Sequence, residues 1–414
     1  MRERSISSPP PAPGRGHHLE YHLLLFVTLG LVAFGLVMVY SASSARAMLA
    51  SGDPAYYLKR QALYAVAGLV ALALLSRFDF RRLRHAAGPL VLANVALLVA
   101  VLVLGTAVNG ARRWLSVGIV DFQPSELAKL ALALWIAAYL ARRPPPRSLG
   151  ELARPIAFVV GGACLLVLVQ PDLGTAIAIG IMATAVLVVS GTSLRVLAGA
   201  GAIAFAVILT AIWLEPYRRA RIFSFLDPWQ DPEGAGFQSV QALIALGSGG
   251  IFGVGLGESV QKMYYLPEAS TDMIFAIVGE ELGLLGAAAV LVAFAVFGYA
   301  GFNVALRCRD QFGKRLAAGL TALVCGQAAV NVCAVLGLAP LTGIPLPFVS
   351  YGGSSLVVGL ASVGILLNIA VNHAAAEAHV PDRGRRHGGA RPAGARGRRG
   401  TPRARRRGHV RGVA

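Results

Sequence analysis

Long apolar runs separated by short polar or basic stretches dominate the chain. About 20 apolar residues suffice to cross a bilayer as a helix, and ten such runs begin near positions 22, 60, 87, 124, 154, 173, 194, 271, 316 and 350. The pattern predicts an all-α polytopic membrane protein with ten transmembrane helices over residues 21–372, between a polar, Pro-rich tail at 1–20 and an Arg-rich tail at 373–414. Spans seven and eight are joined by a loop from Glu215 to Thr271, 57 residues long, a length that is usually functional. Its first part, YRRARIFSFLDPWQDPEGAGFQ, is polar. Its second part, SVQALIALGSGGIFGVGLGESVQKMYYLPEAS, is too interrupted by glycine to span and reads as an interfacial or re-entrant segment over a cavity.

Composition supports the membrane assignment. Of 414 residues 56% are hydrophobic and 14% charged, and mean hydropathy is +0.64, which excludes an ordinary soluble domain. The net charge of +18 does not indicate nucleic acid, because twelve arginines after Asn372, set against Glu377 and Asp382, account for ten of those charges. That tail has no apolar periodicity, is expected to be disordered, and suits anionic lipid. Four cysteines lack metal-ligand spacing. The first apolar run exceeds a signal h-region and has no clear cleavage site, so it is expected to stay attached.

Basic residues set the expected orientation. Arg77, Arg81, Arg82 and Arg84 follow span two, Arg142, Arg143 and Arg147 follow span four, and Arg307, Arg309, Lys314 and Arg315 follow span eight. The positive-inside bias puts these loops and both termini in the cytoplasm. Arg112, Arg113, Arg218, Arg219, Arg221 and Lys262 then fall on the external side. They are either tolerated exceptions or a site for phosphate or pyrophosphate, which guanidinium groups bind well.

The densest chemistry lies in YLPEASTDMIFAIVGEELGLLG, where Glu268, Asp272, Glu280 and Glu281 stand at or inside the mouth of span eight. Ionisable groups there are costly and functional by default. In FQPSELAKLAL, Pro124 and Ser125 open a helix with Glu126 and Lys129 at i, i+3. They form an ordinary ion pair or face a polar cavity. Trp114 is an interfacial anchor or a stacking platform. Asp172, in QPDLGT, reads as a helix N-cap more readily than as a ligand. Ser350, Gly352 and Gly353, in PLPFVSYGGSS, allow close helix packing or line the same cavity. The glycines from 247 to 257 follow no strand and precede no Gly-Lys-Ser/Thr, so no nucleotide site is expected.

Together NGARRW, FQPSELAK, QPDLGTA, RIFSFLDPW with GFQSVQALIALGSGG, YLPEASTDMIFAIVGEELGLLG and PLPFVSYGGSS resemble the SEDS family, which includes the FtsW and RodA peptidoglycan polymerases. The resemblance covers nearly all of the chain between the tails. QKMYYLPEA and the basic tail lean toward the FtsW-like division branch. The family implies ten spans, an external cavity and polymerisation of lipid II into glycan strands. Its essential acid matches Asp272, its loop Trp matches Trp114, and its charged helix pair matches Glu126 and Lys129. Where the family commonly has His before Thr-Asp, this chain has Ser270. The family also implies a single-span class B penicillin-binding protein as transpeptidase partner, together with other division or elongation proteins, in the bacterial cytoplasmic membrane.

That chemistry needs a base for the acceptor hydroxyl and a cation for the departing pyrophosphate. Asp272 is the expected base. Arg112, Arg113, Lys129, Arg218, Arg219 and Lys262 are the candidate cations, as is a divalent ion, Mg or Mn, held by Asp272 with another acid. Rival functions are a lipid II flippase, which would want midplane charges and an internal repeat, and a non-catalytic scaffold for a transpeptidase.

Overall fold

A computed structural model describes residues 16–378 apart from 109, 110, 118, 119 and 264, so the tail after Ala378 and most of the N-terminal tail lie outside it. The predicted helical architecture is present. In chain order the first helices are α1 (Gly16–Ser51), α2 (Tyr56–Arg77), α3 (Phe80–Leu104) and α4 (Pro124–Arg142). A short α5 (Leu149–Leu152) continues through a π turn into α6 (Phe158–Val169), followed by α7 (Leu173–Val189) and α8 (Leu194–Leu214). The long loop contains α9 (Pro216–Leu226) and α10 (Phe237–Ser248), and α11 (Ile274–Arg307), α12 (Gln311–Val335) and α13 (Gly353–Ala378) complete the bundle. Among the described residues nine helical stretches are long and apolar enough to span a membrane, and α7 is a shorter apolar helix of 17 residues.

Burial separates the helices sharply. In α4, α12 and α13 between 72% and 78% of the span is buried, whereas in α8 the share is 6%. The first three are therefore the centre, and α8 stands at the edge, meeting α5 and α9 near its two ends.

Two features depart from the expected pattern. Between α3 and α4 the chain forms three antiparallel strands, β1 (Thr106–Val108), β2 (Ala111–Val117) and β3 (Val120–Phe122). Val108 pairs with Ala111 and Val117 with Val120, so each connection has two residues. The first is Asn-Gly, a strong hairpin signal, and the strands are too short to register against the apolar runs around them.

The second is a break in α11 at Gly283 (φ 66, ψ −162). A broken helix leaves donors and acceptors that are costly away from water. Here the glycine-rich segment supplies them. Val254 N donates to Glu280 O (3.0 Å) and Gly255 N to Glu281 O (3.1 Å), while Leu284 N donates to Gly250 O (2.9 Å). A Cβ on Gly253 or Gly283 would run into the facing backbone, so these glycines serve close approach as well as turning. Their neighbours Phe252 and Leu256 point outward, 79% and 55% exposed.

Candidate functional site

The motifs singled out in the sequence gather at one end of the bundle, and the structure sorts them into three clusters. The first surrounds Asp272, two residues before α11 begins. Thr271 Oγ1 lies 2.9 Å from Glu268 Oε2 and 3.2 Å from Asp272 Oδ1, so one hydroxyl bridges the two carboxylates. Asn331, on α12, donates from Nδ2 both to Asp272 O (2.7 Å) and to Ile344 O (2.8 Å). Tyr351 N donates to Ser270 O (2.8 Å), and Gln61 on α2 holds the same turn through Ser350 O (3.1 Å) and Gly352 N (3.3 Å). Four segments distant in sequence thus converge on Asp272. Burial, reinforced by the negative charge of Glu268, pushes its carboxyl from the usual 3.8 up to about 6, against a smaller opposing pull from Arg221.

Ser350 and Gly352 therefore support the Asp272 turn. Ser350 Oγ accepts from Leu346 N (2.8 Å). Gly353 instead packs against the Tyr64 ring, where a Cβ would collide.

The second cluster joins α4 to α7 and the hairpin. Asp172 is buried and caps α7, accepting from Thr175 N (2.9 Å), Thr175 Oγ1 (2.8 Å) and Gln123 Nε2 (3.2 Å). Its lone pairs are largely engaged. Arg113 donates through Nε to Gln170 O (2.8 Å) and through Nη2 to Pro171 O, pinning β2 to that turn. Lys129 and Glu126 form an ion pair at 2.7 Å with side chains 3% and 5% exposed, and Lys129 Nζ also donates to Gln327 Oε1 (3.1 Å). Gln327 and Asn331 are i, i+4 on α12 and share a face. One face of α12 therefore connects the ion pair, through Gln327, with the Asp272 anchor, Asn331, one turn further on. Arg112 is exposed on β2, Trp114 is half-buried beside it, and the side chain of Arg218 lies outside those described.

The third cluster takes Lys262 away from the first two. Its ammonium is paired with Glu281 (2.8 Å), with side chains 6% and 0% exposed. It also donates to Gly257 O (2.6 Å) and Ser41 Oγ (3.2 Å). Of the cations expected on the external side, Arg221 on α9 is the one whose charge acts on Asp272, and it donates through Nη1 to Leu341 O (3.0 Å). Sequence reasoning named Arg221 among the external basic residues but left it out of the candidate cations for the leaving group, and it missed Asn331, Gln327 and Gln61. Polar side chains inside apolar spans, as in GQAAVNV, were the available signal.

Among the described residues no three His, Cys, Asp or Glu side chains group to hold a metal ion. Glu268 and Asp272 do present two neighbouring carboxylates, the number magnesium commonly takes alongside substrate phosphates.

Comparison with known proteins fixes the family. The family model for FtsW, RodA and SpoVE, described as cell cycle protein, matches residues 21–375. The chain belongs to this family. A Geobacter sulfurreducens protein named "Probable peptidoglycan glycosyltransferase FtsW" is 42% identical over 84% of this chain and 94% of its own length. Stage V sporulation protein E of Bacillus subtilis is 40% identical over 84% of this chain and 96% of its own. The crystal structure of Thermus thermophilus RodA, a rod shape determining protein, matches with a TM-score of 0.63 at 31% identity, covering 84% of this chain and 96% of that one. A chain from a peptidoglycan synthase complex, described as coordinating polymerization and crosslinking, matches with a TM-score of 0.70 at 33% identity, covering 84% and 97%. Membership in this family and the apolar helices make the chain a multi-pass membrane protein.

Proposed function

We propose that this chain is a peptidoglycan glycosyltransferase that polymerises lipid II into glycan strands at the outer face of the cytoplasmic membrane, with Asp272 as general base. The observation that carries this reading is the Asp272 cluster: a carboxyl raised to about 6 and fixed through its own backbone by Asn331. A base poised near the working pH is what glycosyl transfer to a hydroxyl requires. Asp272 takes the acceptor hydroxyl proton as that oxygen bonds to the anomeric carbon of the donor. The bond from that carbon to the pyrophosphate oxygen breaks, and polyprenyl pyrophosphate leaves.

Arg221 is the favoured cation for the leaving group, since its charge already acts on Asp272, whereas Lys262 and Lys129 are committed to buried carboxylates. A divalent ion, when bound, would be held by Glu268 and Asp272 and would neutralise pyrophosphate charge. The transpeptidase partner is a class B penicillin-binding protein, a role supported by the likeness to a chain from a synthase complex. Both termini are cytoplasmic, as the Arg-rich short loops favour. The flippase and scaffold readings have less support, because neither needs an acid tuned in this way.

The test is Asp272→Asn in purified protein supplied with lipid II and its transpeptidase. Loss of roughly 10²- to 10⁴-fold in glycan-chain formation is expected for removal of a general base, with the protein still folded. Retention of more than about a tenth of the normal rate, well short of that range, would remove Asp272 from the chemistry.

A further inference from the structure

The Gly283 break divides α11 into two pieces, and the shorter one, residues 274–282, begins two residues after Asp272. Nine helical residues make an arm about 13 Å long. Asp272 stands just before one end. Glu280 and Glu281 stand at the other, and the rest of α11 continues only beyond Gly283, whose positive φ interrupts the helix, with Leu284 N and Leu285 N donating to Gly250 O and Ile251 O of the glycine-rich segment.

The base of the arm is held from the glycine-rich segment, where Val254 N and Gly255 N donate to Glu280 O and Glu281 O, and by side chains. Glu281 accepts from Ser41 Oγ of α1 (2.7 Å) and from Lys262 Nζ (2.8 Å). Glu280 accepts from the Ser259 hydroxyl, from Val260 N (3.0 Å) and from Gln261 N (3.4 Å). Two adjacent buried carboxylates thus clip the base of the arm to α1 and to the 257–262 turn. Beside the clip a cavity of about 520 Å³ is lined by Tyr40, Ser44, Leu256 and Met263, as well as by Ser41 and Lys262 themselves. Two of the clip's own partners, Ser41 and Lys262, therefore border open space.

We propose that Lys262 and Glu281 are positioning residues for the reaction: with Ser41 they set the tilt of the arm and hence the placement of Asp272. The proposal rests on the Asp272 reading above. A rigid arm transmits a small rotation at its base to its tip, and a misplacement near 1 Å at a reacting group can cost about 10²-fold. The competing explanation is a buried ion pair that contributes stability alone.

The experiment compares full-length Lys262→Met/Glu281→Leu, Ser41→Ala and Lys262→Arg with wild type, in detergent with the transpeptidase and lipid II. The double variant removes both charges together, because a lone buried charge would be strongly destabilising. Freed of its partners, Ser41 can bond back to the carbonyl four residues earlier. Expected for the double variant are melting within a few degrees of wild type, kcat down by about 10- to 100-fold and KM within about twofold, as for loss of an interaction realised in the transition state. Lys262→Arg restores most of kcat. A double variant with normal melting and kcat within about threefold of wild type, or a loss confined to KM, overturns the proposal.

If the double variant fails to fold, Ser41→Ala decides, since it removes the Ser41 hydroxyl from the clip and leaves Lys262 paired with Glu281. Lowered kcat at normal melting upholds the clip, and full activity overturns it. Asp272→Asn run beside these separates the two readings. An inactive Asp272→Asn with a normal double variant removes only the clip, whereas an active Asp272→Asn removes the Asp272 assignment beneath it.

Discussion

Changing Glu268 to Gln should move the acid limb of the pH–rate profile downward. Asp272 and Glu268 share the Thr271 hydroxyl at 3.2 and 2.9 Å, which places the two carboxylates within roughly 6 Å of each other. At that spacing and an effective dielectric near 20, their repulsion is about 3 kcal/mol. Both groups keep some contact with solvent, and screening reduces this to about 1.4 kcal/mol, or one pH unit. The sign follows directly: a negative neighbour disfavours the Asp272 carboxylate, so its loss lets Asp272 ionise at lower pH. Polymerisation by the purified variant, followed from about pH 5 to about pH 8, should then show its half-maximal point about one unit below that of wild type, with the plateau unchanged within about threefold. Arg221→Met removes an attractive charge and should move the limb upward. A limb that stays in place or rises in Glu268→Gln would refute the electrostatic account. Loss of more than about tenfold at every pH would refute it too, and would place Glu268 in the chemistry alongside Asp272.

Two further outcomes follow from the same geometry. Because the folded Asp272 carboxyl titrates near 6 rather than 3.8, the folded protein pays to ionise it. That penalty is absent below the unfolded value, grows between the two, and is complete above about 6. Asp272→Asn should therefore raise thermal stability above pH 6 by roughly 1–3 kcal/mol and leave it unchanged near pH 3; equal or lower stability at pH 7 would contradict the burial of this group. For orientation, an impermeant thiol reagent on whole cells should label a cysteine placed at Glu233 and spare one placed at Arg81, and the reverse pattern would invert the topology.

Much of the architecture is legible from hydropathy, because spans are long and their signal accumulates over some 20 residues. Asp272 was legible too, since a carboxylate at the mouth of a span is rare. What escaped is set by contacts between distant segments. The pairing of Lys262 with Glu281 joins residues 19 apart in sequence. Asn331 acquires its role only when α12 crosses the Asp272 turn. The α11 break depends on a docked partner: GEELG reads as continuous helix until residues 249–255 supply backbone groups to either side of Gly283. Asp172 shows the converse, where the plain N-cap reading is met by Thr175, while Gln123 and Ser125 add partners that the sequence did not foretell.

The isolation of α8 bears on which substitutions the protein tolerates. Its buried contacts are few, at Val196 and where Gly199 faces Leu149, while Ile203, Phe205, Leu209 and Trp213 are each about half exposed or more. A core helix such as α4 must match its neighbours in shape, and a single methylene too many or too few is felt. Along most of α8 no such neighbour exists among the described residues. Side chains there answer to helix propensity and hydropathy rather than to fit, so this span can drift in sequence among apolar residues while the helices around Asp272 cannot.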